Sequence, residues 1–501
     1  MQIKDKGVIE GSPDWDKRLP EATIAELQEA MENGELTSRS IVLIYMKRIA
    51  ELDQAGPRIN SVLEINPDAL HAAEAMDAER RRKGPRGPLH GIPVLLKDNI
   101  DTADSMHTSA GSLALANHYA ADDAYLVLRL RAAGAVILGK ANMTEWANFM
   151  ADDMPMGYSS RGGQVLNPYK PGTHIAGGSS SGSAAAVNAG FAAAAVGTET
   201  NGSIINPASW NGVVGMKPTV GLISRSGIIP ISFSQDTPGP IARTVTDAAL
   251  LLGAMAGVDE LDPATWASEG AAPHDYTAYL DAEGLRGARL GVPVFFDKFV
   301  SDPEHRLPLF REALDTLRLM GAEVVEIEQF PYQDEPYRPE VLTHEFKAAL
   351  NAYLSGVAAH VPVHSLADVI DFNKRNEKAM LRYGQARMEA AEATGGLLTN
   401  PAYLRARALD IEQTQSGGMD RVLREYRLDA IVSAGSSFIH IPAIAGYPSV
   451  TVPCGMSEAG PLGLTFSGTA FSEPQLLKLA YSYEQANKLR QPPKLERGAS
   501  A

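Results

Sequence analysis

The sequence predicts an α/β fold: a mixed central β-sheet covered by helices on both faces, with a helical insertion, all in one domain over residues 1–501. Three observations carry this. Between residues 84 and 260, in what reads as the core segment of the fold, short apolar runs of strand length alternate with helical patterns. Between about 300 and 427 the chain is richer in Glu and Arg and helical in pattern. From 428 to 490 strand-like text returns, so the flanking segments share one sheet and the middle one is an excursion from it. At 501 residues, 45% hydrophobic and 21% charged, the chain is ample for such a core.

Taken in order, residues 19–82 read as helices. Ile24, Leu27 and Met31 share a face, Thr37 or Ser38 can cap SIVLIYMKRIAEL, and a third helix follows Asn66-Pro67. GPRGPLHG (84–91) is a break, and IPVLLKDNI is a strand that delivers Lys97 and Asp98 at its end. ADDAYLVLRLRAAG reads as a helix and AVILGKAN as a buried strand. A loop rich in glycine and proline, 157–178, then leads into GGSSSGSAAAVNAG. GVVGMKPTVGLI is strand-like and TVTDAALLLGAMAG helical. GLRGARLGVPVFF precedes the insertion, LDAIVSAG and YPSVTVPCG follow it as strands, and EPQLLKLAYSYEQANKL closes the chain as a helix.

Composition narrows the function. A formal net charge of −15 sets nucleic acid and anionic membranes aside as partners, because both would repel the surface. No run of about 18 apolar residues could span a bilayer. MQIKDKGVIEGSPDW lacks the apolar core of a signal peptide, so the cytoplasm is the expected compartment. The periplasm or secretion is the alternative if a leader was removed ahead of residue 1. The one cysteine, Cys454, reads as a buried small apolar residue. No CxxC or Cys/His cluster offers a metal site, and HEFKA (344–348) has Ala348 where a zinc helix carries its second histidine. Neither metal nor cofactor is expected.

The segment GGSSSGSAAAVNAG (177–190) admits several readings. A flexible linker would not run into an apolar helix, and a phosphate loop needs a lysine that is missing after Gly182. Gly178–Gly182 matches GxSxG with Ser180 central, but a nucleophile elbow follows a strand, and NPYKPGTHIA precedes this one. A fourth reading uses more of the chain. It joins this segment to a second small-residue turn, GTETNGSIINPASWNGVVGMKPT, with Ser203 after Asn201-Gly202, and to Lys97.

Together with LHGIPVLLKDNID, GKANMTEWANF, SQDTPGPIARTVTDAALLL, AGYPSVTVPCG and LGLTFSGTAFSEPQLLKLAYSYEQA, these segments resemble the amidase signature family over nearly the whole chain. TETNGSI and KPTVGLISRSGIIPISFSQDTPGPIART look most like bacterial peptide amidases. The resemblance implies a cofactor-free serine amidase that splits carboxylic amides into acid and ammonia through an acyl-enzyme. It further implies C-terminal amides of peptides, or amino acid amides, as substrates. A general aliphatic or aryl amidase stands beside that reading, as does a glutaminase-like amidotransferase subunit. A non-enzymatic protein that keeps the fold is disfavoured, since all three triad residues are present.

The resemblance assigns Ser203 as nucleophile, Ser179 as a relay held by a cis peptide, and Lys97 as base. Backbone N–H groups of Thr200, Asn201, Gly202 and Ser203 would form the oxyanion hole. Ser180 would cap the following helix, and Asp236 and Arg243 would buttress the site. The chemistry has reasons behind it: serine needs a base, lysine is a base only when neutral, and burial beside Val94, Leu95 and Leu96 favours the neutral amine. A hydroxyl that donates and accepts can pass the proton between them. Many members of the family carry GGSIR where this chain has Asn201 and Ile205, which favours neutral, larger amides. The expected partner is therefore a small-molecule or peptide amide, bound by a monomer or homodimer, with the 300–427 insertion shaping the pocket.

Overall fold

A computed structural model describes residues 14–496 except 274, 336 and 337, and thirteen strands organise these residues. The first half of the chain supplies β1 (Val62–Ile65), β2 (Pro93–Lys97), β3 (Val136–Ala141), β4 (Tyr158–Ser159), β5 (Gly163–Gln164), β6 (Ala194–Glu199), β7 (Val214–Lys217) and β8 (Thr237–Ala242). The second half supplies β9 (Arg289–Pro293), β10 (Glu323–Ile327), β11 (Ala430–Ala434), β12 (Ser449–Ser457) and β13 (Gly460–Ser467). Eleven of them form one sheet in the order β1-β3-β2-β6-β8-β7-β12-β13-β11-β9-β10, while β4 and β5 pair as a separate hairpin.

The sheet is mixed, as expected. β3, β2 and β6 run parallel, as do β11, β9 and β10, and the strands between these groups are antiparallel. β2, β3 and β6 are buried at every residue, which is why they read as unbroken apolar runs rather than alternating ones. Helices Ser181–Asn188, Val245–Met255, Pro303–Leu319 and Glu473–Asn487 bury their apolar residues in the same main core as these strands. At the N-terminal side, Thr23 and Thr37 each form a capping box, with Glu26 and Ser40 respectively. No helix among the described residues is long and apolar enough to cross a membrane.

Two strands lie where the sequence reads as helix. β1 falls within 19–82 and pairs antiparallel with β3, and β10 falls within 300–427 and pairs parallel with β9. Both are sheet edges of four and five residues, too short for a period to show and decided by the strand each one meets. The helices that remain in the excursion, among them Glu340–Leu354, Leu366–Arg375 and Ala386–Ala393, build a second hydrophobic cluster with residues from 110–115 and 143–154 and with Ile229 and Ile231. Phe149 and Phe346 meet in it with ring centroids 4.7 Å apart.

The helix Ser181–Asn188 crosses the strand layer at a point with room for no side chain. A Cβ at Gly182 would overlap the carbonyl oxygens of Asn142 and Ser61, which are backbone atoms that cannot step aside. Gly182→Ala is therefore expected to destabilise the protein by about 3 kcal/mol, read as a lowered midpoint in thermal or urea unfolding. A midpoint equal to wild type would show that the crossing can relax.

Candidate active site

β2 carries Lys97 to its end and leaves it with no exposed surface, beneath Val94, Leu95 and Leu96 in the same condition. The side chain reaches over the neighbouring strand β6. Its Nζ lies 2.8 Å from Ser179 Oγ, 3.0 Å from the Thr198 carbonyl and 2.9 Å from Thr198 Oγ1. Asn99 Nδ2 donates to the same Thr198 hydroxyl at 3.0 Å. Burial pulls the Lys97 ammonium down to about 7, against the opposing pull of the Asp236 and Glu199 carboxylates.

Ser179 stands where the loop turns into the helix. Gly177 has φ +68°, and a Cβ there would overlap Pro207, so the chain enters by a path open to glycine; the Gly178–Ser179 peptide is cis. The Ser179 carbonyl accepts from the Thr144 amide at 3.0 Å. Ser180 occupies the N-cap position, but its side chain makes no cap bond. Instead its Oγ donates to the Thr198 carbonyl at 3.1 Å and accepts from the Thr198 amide at 3.2 Å. The expected cap is thus corrected: the helix start is pressed against β6, and the strand's backbone is the nearer partner. Ser181 Oγ donates back to the Gly177 carbonyl at 2.5 Å.

The turn after β6 is tied by its own strand end. Glu199 Oε2 accepts from the amides of Ile204 at 2.7 Å and Ile205 at 3.0 Å, and Gly202 takes φ +84° between them. The Ser203 carbonyl accepts from the Ser180 amide at 3.1 Å, which sets this turn beside Ser179. Thr200 Oγ1 donates to Asp236 at 2.5 Å, and Asp236 also takes the amides of Ile231 and Ser232 at 2.7 and 2.8 Å. Burial raises the Asp236 carboxyl above its ordinary range, and these bonds together with Arg225 offset only part of that rise. Among the described residues no acceptor is paired with the amides of Thr200, Asn201, Gly202 and Ser203. Arg243 serves elsewhere: its guanidinium donates to the carbonyls of Ala22, Val187 and Ala192, tying the N-terminal segment to the core.

Ser203 is 8% exposed and faces a cavity of about 770 Å³. One wall is the turn 200–203 with Gly178 and Asn206. The other includes Leu342, Thr343, Ala386 and Arg387 from the helices of the excursion, with Phe149, Met156 and Ile439 between. A smaller cavity of about 210 Å³ lies behind Thr200, with Asn99, Thr198 and Asp236 on its lining and Ile228–Phe233 as a wall. The two share Ala147, Thr200 and Ile231. The structure therefore brings Lys97, Ser179, Ser203, the 200–203 amides and Asp236 together. Sequence reasoning missed Thr198, Asn99, Glu199, Asn206 and His440. Thr198 and Glu199 lie in the TETNGSI run, Asn206 just after it and Asn99 in LHGIPVLLKDNID, so only His440 stood outside the quoted segments.

A family model described as Amidase matches residues 40–477. The chain is 43% identical over 488 residues to a probable amidase of Arabidopsis thaliana, covering 95% of this chain and 92% of that protein. It is 35% identical over 488 residues to a glutamyl-tRNA(Gln) amidotransferase component of Halorhodospira halophila, covering 93% of this chain and 97% of that one. In structure it superposes on the native peptide amidase from Stenotrophomonas maltophilia with a TM-score of 0.88 at 48% identity, covering 95% of this chain and 99% of that chain.

Proposed function

The chain belongs to the amidase signature family of amidohydrolases, and from that premise we propose that it hydrolyses C-terminal amides of peptides or amino acids. The observation that carries the catalytic part is the contact of fully buried Lys97 with Ser179, set beside the Ser203 turn.

In this reading Ser203 Oγ attacks the amide carbon while its proton passes to Ser179, whose own proton passes to Lys97. The Lys97 contacts fit both of its states. A neutral amine donates two N–H bonds to Thr198 and takes the Ser179 O–H on its lone pair, and the ammonium donates to all three oxygens. The 200–203 amides face the oxyanion, an arrangement worth several kcal/mol. The C–N bond then breaks, the proton returns through Ser179 to the leaving nitrogen, and ammonia departs. Water attacks the acyl ester by the same relay, freeing the acid and Ser203. The 340–411 helices shape the acyl side, since Leu342 and Ala386 line the cavity that Ser203 faces.

Likeness to an amidotransferase component supports a second reading, in which the chain is a glutaminase-like partner in a larger assembly. The apolar wall of Phe149, Met156, Leu342 and Ile439 fits a larger neutral acyl group better than glutamine. Ammonia release by the lone chain, without ATP, over aliphatic, aryl, amino acid and peptide amides decides among the readings. Peptide amides are expected to give the highest kcat/KM. Equal rates on short aliphatic amides would reduce the enzyme to a general amidase, and release from glutamine only with partner chains would favour the second reading.

A further inference from the structure

The turn that follows β11 touches the nucleophile turn at three points. Asn201 Nδ2 lies 2.6 Å from His440 Nδ1. Asn206 Nδ2 donates to Ser436 Oγ at 3.0 Å, and Asn206 Oδ1 accepts from the Gly178 amide at 3.2 Å. Between these, Ile439 lies over Gly202: a Cβ built there would meet its Cγ2 at 3.5 Å. The contacts thus fall at positions 201, 202 and 206, on both sides of Ser203, and Asn206 also holds the amide of Gly178, the residue before Ser179.

We propose that His440 is a positioning residue: with Ser436 it clamps the nucleophile turn and fixes the aim of the 200–203 amides. The need for a clamp follows from the backbone. Gly202 takes φ +84° in a turn that the Glu199 carboxylate ties from Ile204 onward, the Asn206 amide ties at the Gly202 carbonyl and Asp236 ties at Thr200. The contact at Asn201 restrains the residue between those ties. Burial keeps the His440 imidazole far below its ordinary range, at about 4, so the ring is uncharged at neutral pH and Nδ1 accepts the Asn201 N–H. Ser436 and Ile439 also line the large cavity, so an acyl group pressing on that wall bears on the turn as well.

The inference rests on the amidase reading, and kinetics on a peptide amide test it. His440→Leu, which keeps bulk and removes the acceptor, is expected to lower kcat about tenfold with KM within about twofold, the mark of misaimed groups rather than lost binding. Asn201→Ala should do the same, and the double variant should be no slower than either single one. His440→Asn, whose Oδ1 stands near the place of Nδ1, should restore most of the rate. Additive losses, a loss confined to KM, or an unchanged kcat in His440→Leu would overturn the clamp. Ser203→Ala run alongside separates the two failures. If it is inactive while His440→Leu is fully active, only the clamp is wrong; if it retains full activity, the assignment of Ser203 as nucleophile falls; and if wild type releases no ammonia from any amide, the amidase reading itself falls.

Discussion

Ser203→Ala is expected to lower kcat for amide hydrolysis by about five orders of magnitude while leaving KM nearly unchanged. In the proposed mechanism the variant removes the atom that attacks the amide carbon, while the cavity and the 200–203 amides stay in place. A fluorophosphonate probe should therefore add to wild type on the peptide that contains Ser203 and leave the variant unlabelled. Loss of one hydroxyl at an 8% exposed position should move the unfolding free energy by no more than about 1 kcal/mol, so a collapse in rate cannot be put down to misfolding. Activity above about one per cent of wild type would move the nucleophile to another serine, with Ser179 the first to be tried.

Lys97→Met is the second large effect, a fall of about three to four orders of magnitude in kcat/KM. Methionine keeps most of the alkyl volume, and Asn99 still donates to the Thr198 hydroxyl, so Ser179 alone loses its partner. The pH profile gives the sharper reading. With the ammonium at about 7, the base form predominates above that pH and is lost below it, so wild-type kcat/KM should decline about tenfold per unit on the acid side of neutrality. The residual rate of Lys97→Met should lack that limb. An acid limb centred two or more units lower in wild type would point to a carboxylate base and overturn the assignment of Lys97.

How much of this could be read beforehand depended on distance along the chain. Lys97 at the close of a continuous apolar run was legible, because a strand buried on both faces cannot alternate and its terminal charge stands out. The grouping of Lys97, Ser179 and Ser203 was legible only through resemblance, since spacing of itself does not bring position 97 to position 179. Thr198 and His440 meet partners 101 and 239 residues away, and no local pattern encodes such contacts. Ser180 was of the right residue type for a cap, but β6 offered its side chain a nearer carbonyl and amide. Edge strands β1 and β10 escaped for a related reason, since a few residues become a strand only when a neighbour supplies the ladder.

The second hydrophobic cluster, built by residues from 110–115 and 143–154 and the helices of the excursion, is distinct from the cluster that holds the sheet. A wall with its own interior opens and closes on its own free energy, so the roof of the cavity can breathe while β2 and β6 stay closed. A lineage could therefore rewrite which molecules enter, one apolar side chain at a time, while the proton relay beneath stays as it is.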